Sequence, residues 1–219
     1  KEQPEKIYYD LAQQRMLSGN FMGAIELLEL IETNYPFGKY AEQAKVELIY
    51  AHYMNNDSIA SHANSEQFIR LNPRHPNIDY AYFMRGLSSY TGDRGLTARI
   101  SEDISIRDVS GAKISFGELN EFITRFPDSQ YVPFAKQRSI YLRNIIAANE
   151  LAVADYYISR NAYVASVRRA KYVIENIPNS NQNLRALKIL EVCYEKLGYV
   201  DLQDEIKAII ALNYPNSST

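Results

Sequence analysis

The residue types that carry catalysis and metal binding are sparse in this chain and lie far apart. The three histidines, His52, His62 and His75, share no spacing typical of a metal site. The chain has no G-x-S-x-G, H-E-x-x-H, Walker or G-x-G-x-x-G motif. We therefore interpret each histidine as packed or solvated, and we expect no metal, no cofactor and no enzyme activity.

Three further candidates have simpler interpretations. Segment 92–95, Gly-Asp-Arg-Gly, is too short to cradle a phosphate group. Glu118 and Glu121 could pair as acid and base, but they lie on an ordinary amphipathic helix face, where charged side chains are solvated. Cys193 has apolar neighbours at helical spacing, which predicts a buried small hydrophobic residue rather than a reactive thiol.

One stretch in the C-terminal half concentrates basic side chains. The acidic residues Glu150, Asp155 and Glu175 lie among them, and the whole chain has a net charge of −2. This balance disfavours nucleic acid, which requires sustained basicity joined to stacking aromatic residues. An acidic protein partner is the functional interpretation, and a solvated helix face is the open alternative. The basic residues are Lys136, Arg138, Arg143, Arg160, Arg168, Arg169 and Lys171.

The elements that must position these residues are helices separated by proline turns. In segment 70–86, RLNPRHPNIDYAYFMRG, an apolar helical run ends at Leu71 and a Tyr-rich run begins at Ile78. Pro73 and Pro76 separate the runs, because proline lacks a backbone N–H and displaces the preceding residue from the α region. The same break recurs at Pro36, Pro127, Pro178 and Pro215.

The residues before these prolines match the tetratricopeptide repeat, in which two paired helices form one packing unit. The residue five positions before the proline is apolar in all five cases, and the residue twelve positions before it is Ala or Ser in four. Gly19 with Asn20, and Gly198 before the predicted N-cap Asp201, mark turns between paired helices. We therefore predict an all-α superhelical solenoid of five tetratricopeptide-like hairpins with about ten helices.

Two segments depart from the repeat spacing. Residues 91–111 are Gly-rich and charged without an apolar period, which predicts a long loop inside the third repeat, with room for a short helix. Residues 131–159 contain no glycine and only Pro133, which a first helical turn tolerates. We interpret them as one unusually long helix, and a kink near 147–149 that divides it in two is the alternative.

Tyrosine dominates the aromatic residues, with 18 copies against no tryptophan. A tyrosine ring combines apolar area with a polar hydroxyl, which suits a groove that stays partly wet. Core packing is the competing role for each tyrosine of the predicted first helices. The tyrosines concerned are Tyr8, Tyr9, Tyr50, Tyr53, Tyr80 and Tyr82.

No segment of the sequence is suited to crossing a membrane. A bilayer span needs about 20 apolar residues, and the richest run, 140–154, is interrupted by Arg143 and Glu150. The first residues, KEQPEK, are polar and contain no apolar signal region, so we expect a trimmed mature domain.

Four segments resemble the BamD family, the tetratricopeptide lipoproteins of the bacterial outer-membrane β-barrel assembly machinery. They are YPFGKY (35–40), RLNPRHPNIDYAYFMRG (70–86), RFPDSQY (125–131) and ADYYISRNAYVA (154–165). The likeness extends from about Ile7 to the C-terminus, and segment 70–86 is its most specific part. The resemblance implies a non-catalytic scaffold on the periplasmic face of the outer membrane, anchored by an acylated cysteine upstream of Lys1.

The resemblance also implies partners and the residues that contact them. Members of the family bind the POTRA domains of the barrel-forming subunit through their C-terminal repeats, with a salt bridge that maps onto Arg169. Their N-terminal repeats receive the C-terminal targeting strands of unfolded outer-membrane proteins, and accessory lipoproteins bind the two ends. The residues expected to bind partners are Arg168, Arg169, Tyr35, Phe37, Tyr40 and Tyr80.

These implications divide the chain into three parts. Residues 5–90 are expected to be the N-terminal repeats that bind targeting strands, and residues 91–127 the third repeat with its inserted loop and second helix. Residues 128–219 are expected to be the C-terminal repeats that bind POTRA domains. The alternative function is a generic tetratricopeptide-type peptide-binding adaptor in the cytosol or periplasm.

Overall fold

The computed structural model describes residues 4–91 and 109–217. Within these ranges the chain forms ten α-helices and a final 3₁₀ turn, Pro215–Ser217, and contains no β-strand, so the all-α prediction is confirmed. The helices are α1 (Pro4–Leu17), α2 (Phe21–Asn34), α3 (Ala41–Met54), α4 (Ser58–Leu71), α5 (Ile78–Ser88), α6 (Ser110–Arg125), α7 (Val132–Ser159), α8 (Tyr163–Asn176), α9 (Asn183–Leu197) and α10 (Val200–Asn213).

The chain divides into two compact units. The described part of the first unit is 4–91 with Ile114–Ser139, and that of the second unit is 109–113 with 140–217. In the first unit consecutive helices from α1 to α5 pack against each other, and α3 also contacts α5. In the second unit α9 packs against both α8 and α10. This is the hairpin-on-hairpin packing of tetratricopeptide repeats, as predicted.

Proline ends the second helix of every predicted hairpin. The residue between helix and proline closes the last turn, as where Tyr35 donates its backbone N–H to the Ile31 carbonyl at 2.9 Å. Proline cannot continue this pattern, because it has no N–H to donate. The last helical residues, each two positions before a proline, are Asn34, Leu71, Arg125, Asn176 and Asn213.

The turns inside the first and last hairpins follow the predicted capping, with one correction. Asn20 accepts a hydrogen bond from the Gly23 N–H at the start of α2. Gly198 has a φ of 72°, in the left-handed region that favours glycine, and it ends α9. The N-cap of α10 is Tyr199 rather than Asp201. Asp201 lies in the first turn instead, where its carboxylate faces the positive end of the helix dipole.

The predicted packing positions are buried. Serine replaces alanine at three small positions. Two of these hydroxyls bond a facing helix: Ser61 donates to the Ile49 carbonyl at 2.9 Å and Ser115 to the Gly86 carbonyl at 2.6 Å. Cys193 is fully buried, as expected. The apolar positions are Ile31, Phe68, Phe122, Val173 and Ile210. The buried small positions are Ala24, Ser61, Ser115 and Ser166, and Gln203 at the fifth is half-buried.

Of the two segments that depart from the repeat spacing, the predicted long helix is confirmed and the predicted loop ends earlier than expected. Helix α7 runs for 28 residues without interruption, which confirms one long helix over the divided alternative. Most of the predicted loop, 92–108, lies outside the described residues. Its predicted end is wrong, because Ser110 and Gly111 already belong to α6, where the next residue, Ala112, is buried. No helix in the described ranges has the length and apolarity needed to cross a bilayer.

Candidate partner-binding sites

The 35–40 turn between α2 and α3 carries three predicted site residues. Tyr35 packs against Tyr8 with ring centroids 6.4 Å apart, and Tyr40 stacks on Tyr9 at 4.5 Å. Phe37 is 100% exposed. The structure therefore holds two rings of this turn against α1 and presents the third to solvent.

A buried carboxylate from α1 fixes the 35–40 turn. Glu5 is only 4% exposed, and its two oxygens accept hydrogen bonds from the backbone N–H groups of Tyr40 at 2.7 Å and Lys39 at 3.3 Å. Gly38 permits this approach, because a Cβ at that position would overlap the Glu5 carboxylate. The sequence offers no local signal for this contact, since Glu5 lies 35 residues before Tyr40.

A row of tyrosines on α1, α3, α5 and the residue before α7 adjoins this turn. The Tyr9 hydroxyl donates to Glu47 at 2.6 Å, and the ring of Tyr80 lies 5.5 Å from that of Tyr131. Burial, followed by the nearby Tyr131, Tyr50 and Glu47, raises the pKa of Tyr80 above its ordinary value. Burial and the Glu47 hydrogen bond raise the pKa of Tyr9 in the same way. This aromatic row consists of Tyr40, Tyr9, Tyr50, Tyr80 and Tyr131.

Sequence reasoning found part of the aromatic row and missed part. Tyr82 is buried against Phe126, at a centroid distance of 5.1 Å, so for this tyrosine the core role is the correct one. Tyr131 was not among the expected site residues, although a signal for it existed. It follows Pro127 by four positions, the same offset that separates Tyr40 from its own proline.

An ionic site lies in the second unit, and we define it as Lys113, Glu150 and Arg169. Glu150 on α7 is only 4% exposed. Its two oxygens lie 3.0 Å from the Lys113 Nζ and 2.9 Å from a terminal guanidinium nitrogen of Arg169. A buried carboxylate is costly unless cations and hydrogen bonds satisfy it, so both basic residues stabilise Glu150 in its buried position.

Arg169 is held in the ionic site and still open to solvent. Its hydrogen bond to Glu150, with a further one to Tyr157, raises the pKa of the guanidinium, which stays charged. The side chain nevertheless remains 45% exposed. Arg168 is also exposed, and no hydrogen bond or ion pair joins it to another residue in the described part of the chain. Of the two predicted arginines, the structure orients only Arg169.

The remaining basic residues do not add to the ionic site. Arg138 donates to the Tyr90 carbonyl at 2.9 Å, and Arg160 lies 5.5 Å from the ring centroid of Tyr156. Sequence reasoning treated Glu150 only as a dilution of positive charge. Its position inside the most apolar run of the chain was the available signal that it needed a buried partner.

Comparison with known proteins identifies the family. A family model named YfiO and described as outer membrane lipoprotein matches residues 1–209. The chain belongs to this family. Outer membrane protein assembly factor BamD of Neisseria meningitidis serogroup A is 34% identical over 214 residues, covering 97% of this chain and 80% of the relative. The BamD of Vibrio cholerae serotype O1 is 35% identical over 211 residues, covering 96% and 88%.

Membership of the YfiO/BamD family confirms two predictions made from the sequence. The resemblance carried by segments 35–40, 70–86, 125–131 and 154–165 is correct. The predicted location at the outer membrane as a lipoprotein is also confirmed, because the matching family is described in those terms. The alternative function, a generic tetratricopeptide-type adaptor in the cytosol or periplasm, finds no support in this membership.

Proposed function

We propose that the chain is a non-catalytic scaffold in outer-membrane protein assembly. The observation that carries this proposal is its similarity, over nearly its whole length, to relatives named as outer membrane protein assembly factors. The helical-hairpin fold agrees, because stacked hairpins provide extended surfaces for holding other polypeptides. We further propose that the first unit binds targeting strands and that the second binds POTRA domains, with accessory lipoproteins at the ends.

The aromatic row supports the targeting-strand part of the proposal. A polypeptide that ends in aromatic and apolar residues needs ring-lined surface together with hydrogen-bonding groups. Burial raises the pKa of Tyr9 and Tyr80, so these two phenols of the row remain neutral at physiological pH, and Glu47 supplies an acceptor beside Tyr9. Phe37 adds a fully exposed ring at the edge of the same unit, and an exposed aromatic residue fixed by a turn is well suited to anchor a partner.

The ionic site supports the POTRA part of the proposal. Arg169 uses a guanidinium nitrogen to hold Glu150, and its exposed remainder is available to a second carboxylate. Because the Arg169 side chain is already ordered, it loses less conformational entropy when a partner binds than a freely moving arginine would. The proposed partner surface at this point is therefore acidic.

Binding measurements on the purified chain test both parts of this proposal separately. The chain is titrated with a POTRA-containing fragment and, separately, with peptides from the C-terminal strands of outer-membrane proteins. We expect both ligands to bind, with neither displacing the other. Failure of the intact chain to bind the POTRA fragment at low and moderate salt would refute the scaffold role. Failure with the peptides alone would remove only the targeting-strand part.

A further inference from the structure

We propose that His62, Glu66 and Glu118 form a binding site for one divalent transition-metal ion of the zinc type. His62 and Glu66 lie one turn apart on α4, and Glu118 lies on α6. One ligand atom from each residue lies within 4.8 Å of the other two. All three residues belong to the first unit, and the proposal does not depend on the partners proposed above.

One pair of ligand atoms is already near the separation that zinc requires. His62 Nε2 lies 3.0 Å from Glu118 Oε1. An ion about 2.1 Å from each would be bound at an angle of about 90°, and an opening of a few tenths of an ångström gives the tetrahedral angle. His62 and Glu118 are half-buried while Glu66 is exposed, so the ion can enter from solvent and water can complete its shell.

The charges around the site favour a cation. Glu66 has no hydrogen bond or ion pair with any described residue, although its carboxylate lies close to that of Glu118. The Arg85 guanidinium bonds Glu121 at 2.5 Å and lies 5.0 Å from the ring centroid of Tyr82. Its Nε is 3.5 Å from Glu118 Oε1, the proposed ligand atom, and makes no hydrogen bond there. Arg85 therefore divides its charge between Glu121 and Glu118, and Glu66 has no ion pair with a described residue.

The ligand types select the ion. An imidazole nitrogen with two carboxylates suits zinc and similar transition metals, whereas magnesium and calcium prefer oxygen ligands alone. The Ser89 hydroxyl donates a short hydrogen bond to Glu118 Oε2, which orients the carboxylate and leaves Oε1 directed at His62. A bound ion would join α4 to α6, the second helices of consecutive hairpins in the first unit.

The site could not be found from the histidines alone. His52 is buried 3.6 Å from Asp57, and His75 packs its ring edge-on against Phe68 at 5.0 Å. The carboxylate that completes the site lies 56 residues from His62 in the sequence and is brought to it by the packing of the hairpins.

Calorimetric titration of the tag-free, chelator-treated chain with zinc chloride tests the proposal. We expect saturable binding of one ion per chain, which also raises the melting temperature. Glu66→Gln should weaken binding about tenfold or more, and it should not lower the ion-free melting temperature, because Glu66 is exposed and its neutral replacement relieves repulsion with Glu118. His62→Ala should abolish binding.

Glu29→Gln on α2 provides a control that removes the same charge at another exposed position, and it should bind zinc like the parent chain. No saturable binding by the parent chain would overturn the proposal. Binding that survives Glu66→Gln with unchanged affinity would do the same, because the ion would then be held elsewhere.

Discussion

The aromatic row of the first unit and the ionic site of the second solve the problem of buried polar groups in opposite ways. In the aromatic row, burial raises the pKa of Tyr9 and Tyr80 and keeps both phenols protonated, and the neutral Tyr9 hydroxyl donates to Glu47. In the ionic site, a buried carboxylate stays acceptable because Lys113 and Arg169 bond it from two sides. The first surface is therefore suited to rings and backbone groups, and the second to charge.

This difference determines which mutations should change partner binding alone and which should also change stability. A residue such as Phe37 touches solvent only, so removing it changes recognition and leaves the fold intact. Arg169 holds Glu150 and also faces solvent, so its substitution affects both stability and any partner.

The largest effect is expected from Arg169→Glu. This change places a second carboxylate beside buried Glu150, with only Lys113 left to balance them. We expect the chain to lose about 2 kcal/mol of stability and its affinity for a POTRA-containing fragment to fall at least about 30-fold. Chemical denaturation and isothermal titration measure the two quantities.

Arg168→Glu is the matched control for this variant, because Arg168 is exposed and bonds to no other described residue. It should leave stability within about 0.5 kcal/mol of the parent chain and reduce POTRA affinity less than Arg169→Glu does. Equal losses of affinity in the two variants would show that net charge alone, and not the orientation of Arg169, governs the contact.

The next largest effect is expected from salt, which should weaken binding at the ionic site more than binding at the aromatic row. Raising the ionic strength shortens the screening length from about 10 Å at 0.1 M to about 3 Å at 1 M. POTRA affinity should therefore fall about tenfold across this range, whereas the affinity for targeting peptides should change less than twofold. Fluorescence anisotropy titrations at several salt concentrations measure both. A parallel decline of the two affinities would contradict the distinction between neutral and charged recognition.

A smaller effect is expected from Phe37→Ala. An exposed aromatic anchor of this kind contributes about 1 to 1.4 kcal/mol to binding, so targeting-peptide affinity should fall about five- to tenfold. The melting temperature should not change, because the Phe37 ring is fully exposed. Binding of the POTRA fragment provides the internal control and should stay constant. Unchanged peptide affinity would exclude Phe37 from the site.

The smallest effect is expected from Tyr80→Phe, which should change how stability depends on pH in the alkaline range. Because burial raises the pKa of Tyr80 in the folded chain, its contribution to stability is complete below about pH 10, the ordinary tyrosine pKa, and is lost as pH rises toward the folded value. Between roughly pH 9 and 11 the variant should lose about 1 kcal/mol less stability than the parent chain. Urea unfolding at both pH values measures this difference.

The fold could be predicted from the sequence because its determinants are local. A proline ends a helix through its effect on a few neighbouring residues only. Ile31 and Phe68 each lie five positions before such a proline, and both side chains are buried in the core. The length of α7 followed from the absence of any interruption after Pro133. The first residue of α6 was misplaced, since a glycine at 111 does not prevent helix formation when neighbouring residues are buried.

The candidate sites could be predicted only where one segment supplies them. The 35–40 turn was recognisable as a candidate because Tyr35, Phe37 and Tyr40 lie within six consecutive residues. The contacts Glu150–Arg169 and His62–Glu118 join residues from different helices, and amphipathic patterns say which face a residue occupies but not which residue it meets. The partners of these polar groups are fixed by tertiary packing alone.

The contact between Glu5 and the 35–40 turn bears on how fragments of this chain should be designed. A fragment that begins at Lys6 would keep the whole turn and every tyrosine of the row, yet it would leave the N–H groups of Lys39 and Tyr40 without their acceptor. Such a fragment would display Phe37 on a loosened loop, and peptide affinities measured with it would understate those of the longer chain.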